Sequence, residues 1–328
     1  EFRRVLFRSG ALRADRLNEL YCRLRNTLFV RSATDADCQL NLPPRKDLAP
    51  LIPPDQDQKT LIKRMIELQA AKEINASIYR ESLDGKHGLI AQVAAQGATA
   101  TAQSLGIRIE QATITPAIWS EEFDREYPNY ESPKLRWIAD CCLQFLNENP
   151  KQAAVVFCEY IGGLTAFYSA MVRRGINRHH IAIYAGETSA VKRKQLERQL
   201  NNGELKILIG QTAALETGAN LQKRASFVAH LSTPWSPDRL SQSTARVYRQ
   251  GQTRPVTVLR PSGSRLEEAK NKALTRKIMQ SAGLTGILYD ADRAVLTTSA
   301  DERIRKAQAR LLETGSYNYG IIKALCGD

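Results

Sequence analysis

Two arginines three residues apart, Arg246 and Arg249 in the segment QSTARVYRQGQ, are the side chains best placed to do chemistry together. A helix starting near Pro237 puts both on one face, where they can hold one anionic ligand between them. Each guanidinium donates paired hydrogen bonds to phosphate or carboxylate oxygens. A second candidate opens the segment YAGETSAVKRKQLERQLNNGE, where Thr188 or Ser189 can cap a helix whose free N–H groups and positive end face an anion, with Lys192 and Arg193 nearby. The same residues also describe an ordinary capped, solvated helix. Trp235, set between Pro234 and Pro237, either stacks on a base or wedges at a groove, or else packs in a core.

The composition agrees with an anionic partner without identifying it. Forty-seven Lys and Arg against 34 Asp and Glu give a formal charge of +13, a field that attracts polyanions but that a solvated basic face would also produce. The six cysteines (Cys22, Cys38, Cys141, Cys142, Cys158 and Cys326) form no CxxC pair and have no histidine at ligand spacing, so no metal site is expected. Reduced thiols in an intracellular, cytoplasmic setting are expected instead. No apolar run approaches the roughly 20 residues that a membrane helix needs.

These residues need a scaffold, and the apolar runs supply one. Ser132-Pro133 opens a helix through Leu135, Ile138, Cys142 and Leu146, which leads into the continuous run AAVVFC of a fully buried strand. Similar short runs at Ile181 to Tyr184, Lys206 to Gly210, Phe227 to Leu231 and Val256 to Leu259 alternate with helical or turn-rich sequence. The order predicts an α/β fold with a doubly wound parallel sheet, whose ligands lie beyond the carboxyl ends of the strands. Upstream, residues 11–31 read as a basic helix and the stretch from Gln58 to about Gln103 as helix-rich, interrupted by Gly85, Gly88 and Gly97. Downstream, Leu266, Ala269, Ala273 and Ile278 mark a long basic helix, and Ile304 to Leu312 another. The expected division is a non-native scar at 1–9 (EFRRVLFRS), a helical linker and insert at 10–131, the sheet domain at 132–262 and a helical extension at 263–328.

The motifs resemble those of Swi/Snf-type superfamily-two helicases. Gln242, Arg246, Arg249, Gly251 and Gln252 stand at the spacing of that family's motif six, although Ala245 replaces the usual acidic residue or glycine. ILIGQTAALETGANLQ looks like motif five, with Thr212, Gly218, Asn220 and Leu221 in the family's positions and Leu215-Glu216 where a glycine pair is common. AAVVFCEYIGGLTAFYSAMVRRG resembles motif four, HLSTPWSPDRLSQ resembles the Pro-Trp-Asn-Pro segment with Ser236 for asparagine, and Leu42 to Pro44 resembles the Leu-Pro-Pro leading out of a first lobe.

The resemblance implies a second, C-terminal RecA-like lobe with a helix-rich N-terminal segment. By the same resemblance Arg246 and Arg249 are arginine fingers, and Gln242, Gly218 and Asn220 lie near the nucleotide. Thr212, Thr188, Lys192, Arg193 and Trp235 would meet nucleic acid. It further implies duplex DNA as partner and ATP with magnesium as cofactor, bound mainly by a first lobe of the same parent. No G-x-x-x-x-G-K-[ST] loop occurs in the chain, so ATP turnover by these residues alone is not expected. Two other readings remain: a stand-alone nucleic-acid-binding module with no ATP chemistry, and the lobe of an RNA helicase.

Overall fold

The computed structural model describes residues 7–8, 11–12, 42–67, 103–116, 125, 129–215, 218–285, 302–314 and 318–326. The expected basic helix at 11–31 is not found in its first two residues, since Ala11–Leu12 pair antiparallel with Phe7–Arg8 as short strands; the rest of it, the glycines at 85, 88 and 97, and Glu216 lie outside the described residues.

The strand Ala153–Cys158, AAVVFC, carries no polar side chain, and every one of its residues is buried. A strand with no face for water must be covered on both sides, and parallel sheets meet that demand by placing helices on each face. Its side chains divide by the two-residue period. Ala154, Val156 and Cys158 join one core cluster, while Ala153, Val155 and Phe157 join another.

Six strands form this sheet: β1 (Arg45–Leu48), β2 (Ala153–Cys158), β3 (Ile181–Tyr184), β4 (Ile207–Gln211), β5 (Ala225–His230) and β6 (Val256–Leu259). Their spatial order is β1-β6-β5-β2-β4-β3, and every neighbouring pair is parallel. The five apolar runs are strands as expected. The sixth strand, β1, has the sequence RKDL and alternates half-buried with exposed residues at the sheet edge. Polar residues on an edge strand blunt pairing with other chains, and they also hide the strand from a reading based on apolar runs.

Two helices, α3 (Pro133–Glu148) and α4 (Ile161–Arg173), cover one face through Leu135, Ile138, Cys142, Leu164, Phe167 and Met171. The α3 start follows local chemistry: the Ser132 hydroxyl accepts the Leu135 N–H at 3.1 Å, and Pro133 stands in the first turn, where its missing N–H costs nothing. Helix α5 (Ala190–Asn202) covers the other face through Leu196 and Leu200 and ends at Gly203 in the left-handed region, φ 87°.

A third core is entirely helical. The described helical residues 56–67 (α1) and 103–114 (α2) pack with α7 (Arg265–Thr285), α8 (Glu302–Thr314) and α9 (Tyr319–Cys326) around Ile62, Ile66, Ile109, Leu266, Leu311 and Ile322. This layer is joined to the sheet's helices by the buried Lys134–Glu267 pair and by the Tyr160 hydroxyl on Glu110, while Lys270–Glu110 lies within the layer. The Lys134 ammonium lies 2.8 Å from Glu267, which also accepts from the Thr113 hydroxyl at 3.1 Å. Lys270 lies 2.8 Å from Glu110, which accepts from the Tyr160 hydroxyl at 3.2 Å. All four charged residues are at most 5% exposed. Such pairs add little net stability over apolar side chains of equal volume, but removing one partner strands the other in low dielectric.

His230, fully buried at the end of β5, stacks on Phe157 with ring centroids 5.2 Å apart. Burial, helped by the Arg260 and Arg45 charges, holds its pKa down at about 3. The unfolded histidine titrates near 6.5. Its stabilising contribution is therefore complete above pH 6.5 and is lost as pH falls from there towards 3.

Two outcomes follow from the buried charges. Glu267→Ala lowers the unfolding free energy by about 3–5 kcal/mol, read from urea denaturation, and a loss under about 1 kcal/mol contradicts the buried pairing. The thermal midpoint of the unaltered chain falls between pH 6.5 and 4, and His230→Gln flattens that fall; equal slopes for the two proteins would contradict a neutral, buried histidine.

Candidate nucleotide and nucleic-acid interface

The Arg246 and Arg249 region does not continue a helix as expected. Helix α6 (Pro237–Thr244), capped by the Ser236 hydroxyl on the Arg239 N–H, ends at Thr244. The chain then closes in tight turns, with Arg246 N–H to Ser243 O at 3.2 Å, Val247 N–H to Thr244 O at 3.1 Å and Gln252 N–H to Arg249 O at 3.0 Å. Val247 is pulled fully into the core beneath β5 and β6. Gln252, 3% exposed, fastens the segment from below: its Nε2 donates to Ala225 O at 2.8 Å and Val247 O at 3.1 Å, and its Oε1 accepts from Thr253 and Arg254 N–H. Gly251 takes φ 89°, which reverses the chain and which a larger residue would resist.

These turns bring together residues far apart in sequence. The Arg249 Nη1 donates to Asn220 Oδ1 at 2.6 Å, and Leu221 N–H donates to Arg246 O at 3.1 Å. Asn220 is held on its backbone as well, its N–H donating to Glu197 Oε1 at 3.0 Å and its O accepting from Asn201 Nδ2 at 2.7 Å. Arg249, Asn220, Gly218 and Gln242 are all exposed, and Arg246 is half-buried. Gln252 reaches the first residue of β5, so this cluster stands at the amino-terminal edge of the sheet. The expected location beyond the carboxyl ends does not hold for it, because Gln252 anchors the turns on Ala225, where β5 begins.

The second cluster does stand at the carboxyl edge. Ser189, not Thr188, caps α5 by accepting the Lys192 N–H at 3.3 Å. The Thr188 hydroxyl accepts the Ala185 N–H at 3.0 Å and so shapes the loop after β3. Arg193 points into that loop, donating to Thr188 O at 2.7 Å and Gly186 O at 2.8 Å, with its guanidinium 5.3 Å from the Tyr184 ring centre. Lys192 is exposed.

Gln211, which the sequence did not single out, ties this loop to its neighbours. Its Oε1 accepts the Gly186 N–H at 3.2 Å and its Nε2 donates to Glu159 O at 3.4 Å. The Glu159 N–H in turn donates to the Ser232 hydroxyl at 2.6 Å, so the loops after β2, β3, β4 and β5 form one connected edge. A glutamine at a strand end carries no pattern of its own; only the three-dimensional pairing of β4 with β2 and β3 gives it this role.

Two expected contacts are turned inward. Thr212 is fully buried, and its Oγ1 has no hydrogen-bond partner. It begins a single helical turn, Thr212–Leu215, that folds back onto β4; a Cβ on Gly210 would stand 1.8 Å from the Leu215 side chain, so that close return requires glycine. Trp235 is half-buried against the helical core, with the Lys270 ammonium 4.9 Å from its ring centre.

The turns at Arg246 and Arg249, with the Asn220 amide beside them, form a cationic patch whose guanidinium groups can donate hydrogen bonds to an anion. Among the described residues no group of three His, Cys, Asp or Glu could hold a metal ion. Cys158 is buried at the end of β2, where burial pushes its thiol up to about 11, and Cys141, Cys142 and Cys326 are likewise unbridged thiols. No described helix is long and apolar enough to cross a membrane.

Residues 134–251 match the family model of the helicase conserved C-terminal domain. The fold is shared with the Sulfolobus solfataricus SWI2/SNF2 ATPase core in complex with dsDNA, at a TM-score of 0.52 and 19% identity, covering 88% of this chain and 55% of that one. The protein therefore has a RecA-like fold built on a parallel α/β sheet. Among curated proteins it is 25% identical over 246 residues to "Putative ATP-dependent helicase/translocase YwqA" of Bacillus subtilis, covering 74% of this chain. It is 29% identical over 137 residues to "Zorya protein ZorD" of Escherichia coli, covering 40% of this chain. The chain spans only 24% and 12% of those two proteins' lengths.

The buried, unpartnered Thr212 hydroxyl gives a direct test. Replacing a buried polar group that makes no bond by an apolar one of the same shape is neutral or stabilising. Thr212→Val therefore leaves the urea midpoint unchanged or raises it, whereas a loss of more than about 1 kcal/mol would show that Oγ1 is bonded.

Proposed function

We propose that this chain is the second motor lobe of an ATP-dependent translocase on duplex DNA. The observation that carries the reading is the 2.6 Å bond between Arg249 and Asn220, which assembles the motif-five and motif-six residues into one exposed cationic cluster on a helicase C-terminal domain.

In this reading a first lobe of the same parent binds ATP and magnesium, and Arg246 and Arg249 complete the site when the lobes close. The nucleotide supplies a transferable phosphoryl group; the arginines donate hydrogen bonds to its oxygens and balance the charge that develops there. The Arg249–Asn220 bond keeps the guanidinium ordered until a phosphate competes for it. Asn220 and Gly218 then lie beside the sugar, and Gln242 lines the same surface from α6.

At the opposite edge, Lys192 and the N–H groups of the capped α5 start meet DNA phosphates. Thr188 and Arg193 act by holding the loop in shape. Thr212 supports that edge from within, and Trp235 belongs to the joint with the helical layer. Opening and closing of the lobes across ATP would then step these phosphate contacts along the duplex.

Two separable outcomes test this reading. In the parent polypeptide, Arg249→Ala lowers DNA-stimulated ATP turnover by on the order of a thousandfold or more while duplex affinity, read by fluorescence anisotropy, is unchanged. Lys192→Glu does the reverse, weakening duplex binding at every sequence. Full turnover in Arg249→Ala would remove the arginine-finger role, and tighter binding of duplex RNA than of duplex DNA would change the substrate.

A further inference from the structure

A cleft of about 540 Å³ lies outside both clusters, between α1, the start of α7 and the end of α9. Pro54, Ile62 and Leu325 form its apolar walls, and Lys59, Lys63 and Arg265 stand on its rim. All three cations are exposed, and the described structure pairs none of them with a carboxylate. None of the described residues lining the cleft is acidic. The nearest carboxylate in the chain before α1, Asp55, is already committed to the Gln58 N–H at 3.0 Å and the Tyr130 hydroxyl at 2.5 Å. Three like charges around one concavity repel each other, and an anion seated there relieves that repulsion.

The position of the cleft says which anion. Pro53 and Pro54 follow the carboxyl end of β1, and Ser264 and Arg265 follow that of β6, with the two exits laced together by Ile52 N–H to Ser262 O at 2.8 Å and Ser262 N–H to Pro50 O at 2.9 Å. In an all-parallel sheet every carboxyl end lies on one edge, so the cleft shares its edge with the α5 start after β3. Along the strand order the two are separated by four to five strand spacings, roughly 19–24 Å at about 4.8 Å each. That exceeds the roughly 12 Å major-groove width, so the two cation groups would reach phosphates on either side of a groove rather than one phosphate together.

Resting on the duplex-DNA reading above, we propose that the cleft rimmed by Lys59, Lys63 and Arg265 is a second phosphate-binding site, which holds the duplex backbone across the sheet edge from Lys192. It couples the helical layer to the track, because its cations come from α1 and α7 rather than from the sheet domain's own loops.

The test uses the 328-residue chain, a fluorescein-labelled 20-base-pair duplex and a salt titration. Lys59→Gln, Lys63→Gln and Arg265→Gln are combined, with Lys151→Gln and Lys223→Gln at the opposite edge as a charge control. Because each neutralised phosphate contributes about −0.9 to the slope of log K against log salt, the triple variant shows a slope shallower by about three and an affinity at least about tenfold lower. The control keeps the slope, and all three proteins keep the same thermal midpoint. An unchanged slope in the triple variant, with the unaltered chain binding normally, overturns the inference alone. No duplex binding by the unaltered chain overturns the duplex reading and the inference with it. Loss of poly-L-glutamate binding with an unchanged DNA slope assigns the cleft to an acidic polypeptide and overturns it as well.

Discussion

The constraint on which everything else depends is that β2 has no face to offer water. AAVVFC buries alternate side chains in two different cores, so the chain must bring helices to both sides of the sheet. Once α3 and α4 cover one face and α5 the other, every crossover runs from a carboxyl end to an amino end. The loops at each edge are thereby set next to one another. The connected edge from Glu159 through Gln211 to Gly186 exists because β2, β4 and β3 are neighbours in that order.

The same geometry separates two clusters of polar and cationic side chains. One edge carries the Arg249–Asn220 cluster, held from below by Gln252 and from the side by Glu197 and Asn201. The other carries the capped start of α5 and, further along, the cleft beneath α1. A rigid sheet between them transmits displacement rather than absorbing it, because close-packed interiors deform little. The buried Lys134–Glu267 pair extends that rigid body into the helical layer, and the Lys270–Glu110 pair braces that layer internally. A buried pair of this kind contributes orientation more than stability.

Sequence patterns reveal what periodicity and caps determine. The five apolar strands and the Ser132 cap of α3 follow from apolar runs and a Ser-Pro helix start. Three features do not. The β1 strand is RKDL, whose pairing is made by backbone alone, so its side chains carry no strand signal. The helix carrying Arg246 and Arg249 ends early because Val247 is drawn into the core and Gln252 closes the turn, and both are tertiary effects. The inward placement of Thr212 and Trp235 depends on which face of a loop the core claims, and residue type does not reveal that.

The central claim is that duplex DNA meets the carboxyl edge of this lobe while the arginine cluster at the other edge is left for nucleotide. Backbone hydrogen exchange of the full chain, with and without a 20-base-pair duplex, tests it most directly. The account predicts added protection in the loop and helix start at 185–193, with exchange at 218–222 and 246–252 unchanged. Protection confined to the arginine turns, with none at 185–193, would contradict it.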